Sequence, residues 1–469
     1  MLNPQTTEAF VSKFWDRNIV PTIAEYIRIP NKSPHFDPNW EENGHMEKAL
    51  QLALDWLDRH PIEGCRRHVG RLPGRTPLIL LEIPGDIDKT IVLYGHLDKQ
   101  PEMTGWREDL GPWTPKMEDG KLYGRGGADD GYALFASICA LKALKDQGQA
   151  HARCVVMIEF SEESGSPDLP TYVDHFNDII GSPDLVVCLD SGAGNYDQLW
   201  CTTSLRGLAG GTLRVDVLRE GVHSGDASGI VPSSFRILRQ LLSRIEDPET
   251  GEILNDRLKV PIPDQRIQQA RLAAQALGDQ VYSKFPFVEG MTPVDSDPVE
   301  LILNRTWRPA LAVTGQDGIP PTLSGGNVLR PFSQIKLSFR LPPTLPAEKA
   351  GEIIRRTLSE KAPYGAKISL DFEDGATGWN APALAPWLDE ALAEASNTYY
   401  GKPTLHMGEG GSIPFMGMLG EKFPDAQFVV TGVLGPKSNA HGPNEFLHVP
   451  YAKKLTCCVV HIIACHARR

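Results

Sequence analysis

The sequence lacks the features that define several classes of protein. Its 469 residues contain 47 Lys and Arg against 59 Asp and Glu, which gives a formal net charge of −12, and the basic residues form no run. Nucleic-acid grooves and anionic membrane surfaces attract clustered positive charge, so we expect neither as a partner. No stretch approaches the roughly 18 apolar residues of a membrane-spanning helix. These absences favour a small-molecule partner.

Cysteine is scarce and shows no regular spacing. The chain has 8 cysteines and no CxxC pair, which argues against a disulfide framework or a zinc finger. Cys139, Cys154, Cys188 and Cys458 lie inside apolar runs, which is typical of buried reduced thiols. Residues 1–15 are polar and acidic, unlike a secretory signal. We therefore expect a cytoplasmic protein.

What the sequence does contain is an alternation of short apolar runs and helical patterns. The β-branched runs at residues 90–94, 154–158, 185–189 and 428–431 predict buried parallel strands. Apolar residues recur every three or four positions over 134–144, and 383–395 is a second helical segment. The pattern predicts an α/β domain with a mostly parallel sheet and helices on both faces.

The pattern changes from about Ala209 onward. Apolar and polar residues alternate over 213–217, 335–339 and 368–372, as in half-buried antiparallel strands, and 311–313 adds a fourth strand. Two helices fit between them, over 235–245 and 346–358. We predict an inserted α+β, ferredoxin-like domain at 208–378, between catalytic-domain parts at 1–207 and 379–469. The segment 247–297 within the insertion stays unassigned.

Acidic and imidazole side chains follow the predicted strands of the first domain. Those after the strands are His96, Asp98, Glu162, Glu163, Asp190 and His441, while Asp129 and Asp130 open a helix. Open α/β sheets bind ligands at the carboxyl ends of their strands, so we expect these groups to converge. Carboxylates at this density repel one another unless cations lie among them, and mixed N and O ligands suit zinc, manganese or cobalt. Two divalent ions would balance three carboxylate ligands and one hydroxide.

Each piece has a simpler interpretation when it is taken alone. His96 could be a hydrogen-bonded turn histidine, and Glu162–Glu163 a solvated strand end. Asp129–Asp130 could cap the following helix. The glycine-rich segment Gly124–Gly127 could bind phosphate, although it lacks the spacing of a P-loop. Order and position taken together favour the metal centre.

The motifs GHLD at Gly95–Asp98, GRGGADD at Gly124–Asp130, the EE pair, Asp190 and the late AHGPNE resemble one known family. It is the family of co-catalytic di-zinc peptidases, which includes carnosine dipeptidases, succinyl-diaminopimelate desuccinylase, carboxypeptidase G and aminoacylases. The resemblance covers essentially the whole chain and is strongest to the cytosolic carnosine-type dipeptidases. It implies that His96 and Asp190 hold one zinc ion, Glu163 and His441 hold the other, Asp129 bridges them, Asp98 orients His96, and Glu162 is the general base.

The inserted domain carries further motifs of the same family. The segment Gly221–Gly225 (GVHSG) resembles a lid signature whose histidine, in dimeric relatives, reaches the partner's active site, so the resemblance implies a homodimer in which His223 binds substrate. It also implies that Arg340 and Ser412 bind the substrate carboxylate and that Asn327 lies in a substrate-facing loop. His223 could instead be a turn histidine, and Arg340 an ordinary strand arginine.

Three positions bear on how closely the chain follows the family pattern. The usual lysine after the bridging acidic pair is missing in Asp129–Tyr132 (DDGY), and the loop Asn327–Pro331 (NVLRP) has its proline shifted by one position. The resemblance also implies a cis peptide after Asp129.

The activity that follows is hydrolysis of a peptide bond in dipeptides or related small substrates bearing a free carboxylate. The family mechanism uses a hydroxide that bridges two metals, with Glu162 as the base. An N-acyl-amino-acid or N-succinyl deacylase is the alternative. A metal-binding protein without catalysis is a third interpretation, against which the presence of Glu162 argues.

Overall fold

The computed structural model describes residues 2–373, 375–411 and 413–469. The chain forms two compact units. The main unit comprises Met1–Thr203, Ala381–Met407 and Met418–Arg469, and the inserted unit comprises Ser204–Asn380 and Gly408–Gly417. The domain ranges drawn from the sequence stay a prediction. Within the described residues, no helix combines the length and apolar character that crossing a bilayer requires.

The strands of the described residues follow in chain order. They are β1 (Arg66–Gly70), β2 (Leu78–Ile83), β3 (Ile87–His96), β4 (Lys116–Glu118), β5 (Lys121–Tyr123), β6 (Ala152–Glu159), β7 (Leu185–Cys188), β8 (Trp200–Leu205), β9 (Gly207–Asp216), β10 (Val222–His223), β11 (Ala310–Asp317), β12 (Val328–Leu329), β13 (Phe332–Leu341), β14 (Lys367–Phe372), β15 (Trp379–Asn380), β16 (Leu405–Glu409), β17 (Gln427–Val430) and β18 (Phe446–His448).

The helices are arranged between these strands. They are α1 (Pro4–Phe14), α2 (Val20–Ile27), α3 (Trp40–Asn43), α4 (His45–Arg59), α5 (Ala133–Asp146), α6 (Leu169–His175), α7 (Asn177–Ile180), α8 (Ser224–Ala227), α9 (Ser234–Leu242), α10 (Asp264–Leu277), α11 (Gln280–Ser283), α12 (Pro298–Thr306), α13 (Ala347–Ser359), α14 (Pro386–Tyr400), α15 (Pro414–Lys422) and α16 (Val449–His466). A π-helical turn, Trp15–Ile19, joins α1 to α2.

The main unit is built on a six-stranded sheet in the order β1-β2-β6-β3-β7-β17. β6, β3, β7 and β17 are parallel, and β1 and β2 add an antiparallel edge. β6 and β7 are buried along almost their whole length, and α5, which is itself buried, packs against β3 and β6. Strands buried on both faces are long apolar runs, which is why the sequence revealed the four parallel ones. The predicted mostly parallel α/β sheet is confirmed.

The register of the parallel strands determines where the loops begin. His96 at the end of β3 lies opposite Glu159 at the end of β6, and Tyr94 lies opposite Cys188 at the end of β7. The loops that follow the three strands therefore leave the sheet at one edge. This edge carries the candidate site.

The inserted unit has the predicted α+β, ferredoxin-like architecture. Its antiparallel sheet has the order β11-β13-β9-β14, and α9 and α13 pack against it. Along β9, buried and half-buried residues alternate, and Ile237 and Ile354 from the helices join the same core as Leu213 and Leu337 from the strands. β11 extends over Ala310–Asp317, beyond the predicted 311–313. Its residues Ala312–Asp317 are exposed and a bulge after Val313 interrupts the pairing, so an alternation of apolar and polar residues does not mark its full length.

One region that the sequence left unassigned forms regular structure. The segment 247–297 contains α10 and α11. Leu205 at the end of β8 pairs with Trp379 at the start of β15, so the chain enters and leaves most of the insertion through adjacent paired residues.

Close packing behind the end of β3 yields a stability prediction. A Cβ atom at Gly95 would lie 2.4 Å from the Ala133 Cβ atom and 2.6 Å from the Asp130 Oδ2 atom. We expect Gly95→Ala to lower the free energy of unfolding by about 1–3 kcal/mol, as overpacking does. Gly351→Ala in α13 is the matched control, because its nearest neighbour is the flexible Arg355 side chain at 3.7 Å. Urea unfolding of both variants measures the difference, and equal stabilities would contradict the prediction.

Candidate active site

The acidic and imidazole side chains of the main unit meet at the edge where the parallel strands end. His96 is the last residue of β3, Glu162 and Glu163 form a short turn after β6, and Asp190 follows β7. Asp129 precedes α5, and His441 lies in the loop between β17 and β18. The structure thus brings together the seven residues that the sequence singled out in this unit: His96, Asp98, Asp129, Glu162, Glu163, Asp190 and His441.

Asp129 lies between two groups of possible metal ligands. Its Oδ1 atom is 3.5 Å from His96 Nε2, which is also 3.8 Å from Asp190 Oδ1. Its Oδ2 atom is 3.1 Å from His441 Nε2, which is also 3.3 Å from Glu163 Oε2. Within each group of three, the ligand atoms all lie within 4.8 Å of one another. Asp129 therefore offers one carboxylate oxygen to each group.

The chemistry of these donors fits divalent cations. His96 is buried, and among the described residues neither of its ring nitrogens has a well-aligned hydrogen bond. Asp98, Asp129, Asp130 and Asp190 are buried with it. Buried carboxylates are unfavourable unless they are paired or coordinate a cation, and imidazole with carboxylate is a ligand set that zinc, manganese and cobalt accept.

Asp98 holds several parts of the site in place. Its Oδ1 atom lies 3.2 Å from His96 Nδ1 and accepts a hydrogen bond from the Glu162 amide at 3.1 Å. Its Oδ2 atom accepts one from the Glu163 amide at 3.0 Å. The sequence predicted only the contact with the imidazole. Because the two backbone amides also donate hydrogen bonds to Asp98, one carboxylate orients both the histidine and the turn that carries the two glutamates.

Sequence reasoning singled out Asp130 without its contact, and it missed other residues around the site. Gln100 Nε2 donates a hydrogen bond to Glu163 Oε2 at 2.6 Å, and Asp130 Oδ2 accepts one from the His96 amide at 3.3 Å. Behind the turn, hydroxyl groups of Tyr94, Ser161 and Ser166 donate to the buried carboxylate of Glu159. Their only sequence signal was proximity to the motifs, since polar residues near strand ends are common.

The segment after the shared aspartate explains one departure from the family pattern. The Asp129–Asp130 peptide is cis, as the resemblance implied. A Cβ atom at Gly131 would lie 2.4 Å from the Gly126 carbonyl oxygen and 2.4 Å from the Tyr26 ring. Space at this position admits only glycine, so the family's lysine has no room here.

Burial and mutual charge control the protonation of the carboxylates. Burial raises the pKa of Asp190 to about 7, and burial together with neighbouring carboxylates raises the pKa values of Glu162 and Glu163 well above the usual range. For Asp129, burial is outweighed by His441 and His96, which lower its pKa. For His96, burial is outweighed by Asp190, Asp129 and Asp98, which raise its pKa well above the usual value. The site therefore retains protons that a cation would displace.

Two of the predicted residues of the inserted unit, His223 and Arg340, lie on its strands. His223 ends β10, opposite Val328 of β12, and the Ser224 amide donates to the Asn327 carbonyl at 2.9 Å, so His223 and Asn327 are neighbours. His223 is exposed, and its Nδ1 atom accepts a hydrogen bond from the Gly225 amide at 3.0 Å. Arg340 lies near the end of β13, where burial lowers its pKa. Ser412 lies outside the described residues.

Residues 92–464 match the family model described as Peptidase family M20/M25/M40. The chain belongs to this peptidase family. Membership confirms the predicted family resemblance and makes the chain a metal-dependent hydrolase. The match covers the whole span from β3 to α16, so it includes every candidate ligand.

Individual relatives agree with this assignment to the M20 family. A cysteinylglycine-S-conjugate dipeptidase of Corynebacterium striatum is 28% identical over 456 residues, which cover 91% of this chain and 92% of the relative. A Beta-Ala-His dipeptidase of Homo sapiens is 27% identical over 433 residues, covering 86% and 81%. The crystal structure of human carnosine dipeptidase 1 has the same fold, with a TM-score of 0.77, 23% identity and full coverage of both chains.

The raised pKa values predict how the metal-free M20 protein responds to pH. Burial raises the pKa values of Glu159, Asp190 and Glu445 to about 7. These carboxyl groups bind protons more tightly in the folded protein than in the unfolded chain, so stability falls as the pH rises from about 4 through about 7. With a chelator present at both pH values, we expect the midpoint temperature of thermal unfolding to be lower at about pH 8 than at about pH 5.5. Added divalent metal should restore the midpoint at about pH 8, whereas a midpoint that rises with pH in chelator would contradict the assignment.

Proposed function

We propose that the chain is a dipeptidase, which hydrolyses the peptide bond of dipeptides or related small substrates that carry a free carboxylate. The observation that carries the proposal is the position of Asp129. One of its oxygens lies near His96 and the other near His441, and Glu162 also lies beside His96. The relatives named as dipeptidases support a substrate of this size. Hydrolysis of N-acyl amino acids or N-succinyl compounds is the alternative that substrate assays separate.

The ligands divide into two sets under this proposal. His96 and Asp190 would hold one divalent ion, Glu163 and His441 the other, and Asp129 would contact both; zinc is the proposed metal, with manganese and cobalt as alternatives. Two such ions supply an acidified water and a polarised substrate carbonyl. The remaining chemistry belongs to residues of the chain.

Glu162 is the proposed general base and acid. Its carboxylate lies 4.0 Å from His96 Nε2, and burial and Asp190 raise its pKa, which is the direction that proton transfer by a carboxyl group requires. Glu162 accepts a proton from the attacking water and passes it to the leaving nitrogen. Asp98 fixes the backbone of Glu162 through the amide hydrogen bond, so the base has a defined position.

Residues of the inserted unit are proposed to bind the substrate. The guanidinium of Arg340 suits a planar carboxylate, and Ser412 is proposed to bind the same group. Asn327 lies next to His223 and is proposed to face the substrate. Selection for a free carboxylate follows from this arrangement.

The proposal extends to the assembly and its compartment. We propose a homodimer formed through the inserted unit, in which His223 of the partner subunit donates a hydrogen bond to the substrate carbonyl. Support comes from the exposed His223 and from β11, an edge strand whose residues Ala312–Asp317 are exposed and able to pair. The free cysteines of the described residues support a reducing cytoplasm.

The general base is tested by comparing two neighbouring glutamates. Glu162→Gln should lower turnover of a dipeptide panel by about 100- to 10,000-fold while it retains bound metal, because its role is proton transfer. Glu163→Ala is the matched control and should lose metal, which elemental analysis measures. Equal metal loss in both variants would contradict the assignment of Glu162 as a base that does not bind metal. Faster hydrolysis of N-acetyl or N-succinyl amino acids than of dipeptides by the wild-type protein would favour the deacylase.

The composite site is tested by mixing two inactive variants. Glu162→Gln and His223→Ala each damage a different half of one site, so a heterodimer of the two contains one intact site. We expect recovery of up to about half the wild-type activity per heterodimer, since loss of a hydrogen-bond donor to the carbonyl oxygen costs about 100- to 1000-fold. Two differently tagged chains allow heterodimers to be purified. Purified heterodimers no more active than their parents would place His223 outside the partner's site.

A further inference from the structure

The two histidines of the site are held in different ways. The side chain of His96 is 0% exposed at the end of β3, whereas that of His441 is 55% exposed in the loop that joins β17 to β18. His441 has φ 66°, and Lys437, Asn439 and Asn444 in the same loop also have positive φ. Non-glycine residues adopt this region at a cost and keep it where surrounding contacts impose it. Something other than burial must therefore fix His441.

A buried ion pair supplies those contacts. Arg125 Nη1 donates to Glu445 Oε2 at 2.6 Å, and the two side chains are 1% and 0% exposed. Arg125 Nη2 donates to the Gly442 carbonyl at 2.8 Å, one residue after His441. The guanidinium thus binds the loop at two places, the backbone carbonyl of Gly442 and the side-chain carboxylate of Glu445.

The same pair fastens the loop to the segment that leads to Asp129. Glu445 Oε1 accepts a hydrogen bond from the Gly126 amide at 2.9 Å, and the Glu445 carbonyl accepts one from the Gly124 amide at 3.0 Å. Arg125 Nε donates to the Pro101 carbonyl at 3.1 Å, in the loop after β3. Three segments distant in sequence meet at one guanidinium, and charge-assisted hydrogen bonds in a buried setting are strong.

We propose that Arg125 and Glu445 are positioning residues that hold His441 against Asp129 and Glu163. They thereby set the affinity for the ion bound by Glu163 and His441 more than the affinity for the other ion. This inference rests on the two-ion site of the proposed function. The other ion depends less on the pair, because two of its three proposed ligands are held by the sheet: His96 ends a strand paired with β6, and Asp190 directly follows β7.

The test uses the full-length protein and Zn²⁺ at buffered free concentrations. Arg125→Lys keeps the charge but removes the fork that reaches Glu445 and Gly442 together. We expect one of the two zinc affinities to fall about 10- to 100-fold and the other to stay, so one ion per chain remains at intermediate zinc. Excess zinc should restore kcat, because neither residue takes part in the reaction. Arg107→Lys, at an exposed pair with Asp109 and Glu118, is the control and should bind zinc as wild type does.

A second variant separates positioning from folding. Replacing both residues, Arg125→Met with Glu445→Met, leaves no unpaired buried charge, so the fold should persist while the selective zinc defect remains. Unchanged zinc binding in both variants, or equal loss of both ions by folded protein, would overturn the inference. A wild-type chain that binds fewer than two ions would instead contradict the proposed function, whatever the variants do.

Discussion

Negative charge concentrated at one edge of a buried sheet is the constraint on which the site depends. Asp98, Asp129, Asp130 and Asp190 are buried there, and Glu162 and Glu163 are half-buried beside them. Water cannot solvate these groups, so each needs a hydrogen-bond donor, a proton or a cation. Backbone amides donate to both oxygens of Asp98 and to Asp130 Oδ2, and the imidazoles of His96 and His441 lie 3.5 Å and 3.1 Å from the two oxygens of Asp129. The remaining charge is what makes the edge a receptor for divalent cations.

The parallel sheet and the convergence of acidic and imidazole groups at its edge were predictable from the sequence for related reasons. β3, β6, β7 and β17 are buried on both faces and so are continuous apolar runs, and their ends are visible as a change to polar residues. β1 and β2 carry no comparable chemistry at their ends, and they were missed. The antiparallel strands of the α+β, ferredoxin-like inserted unit followed from alternation along β9, β13 and β14. α10 and α11 were not foreseen in a Pro-punctuated segment.

The contacts that fix the ligands were not predictable in the same way. The Arg125–Glu445 pair joins residues 320 positions apart, and the hydrogen bond from Gln100 to Glu163 spans 63 positions. Arg125 and Glu445 lie inside two of the motifs, but nothing in the local pattern indicates that these side chains contact each other. Only the path of the chain through space brings them together. Residue type and strand position therefore indicate which groups perform chemistry, whereas the three-dimensional structure is needed to show what holds them.

The pairing of Leu205 with Trp379 has a consequence for the history of the chain. Adjacent strands lie about 5 Å apart, so the stretch between these two residues starts and finishes at almost the same point. A segment with neighbouring ends can be gained, exchanged or deleted as a cassette without redirecting the polypeptide on either side. This geometry allows the main unit and the inserted stretch to be acquired separately. Another stretch with neighbouring ends, placed between Leu205 and Trp379, should leave the sheet of the main unit unchanged.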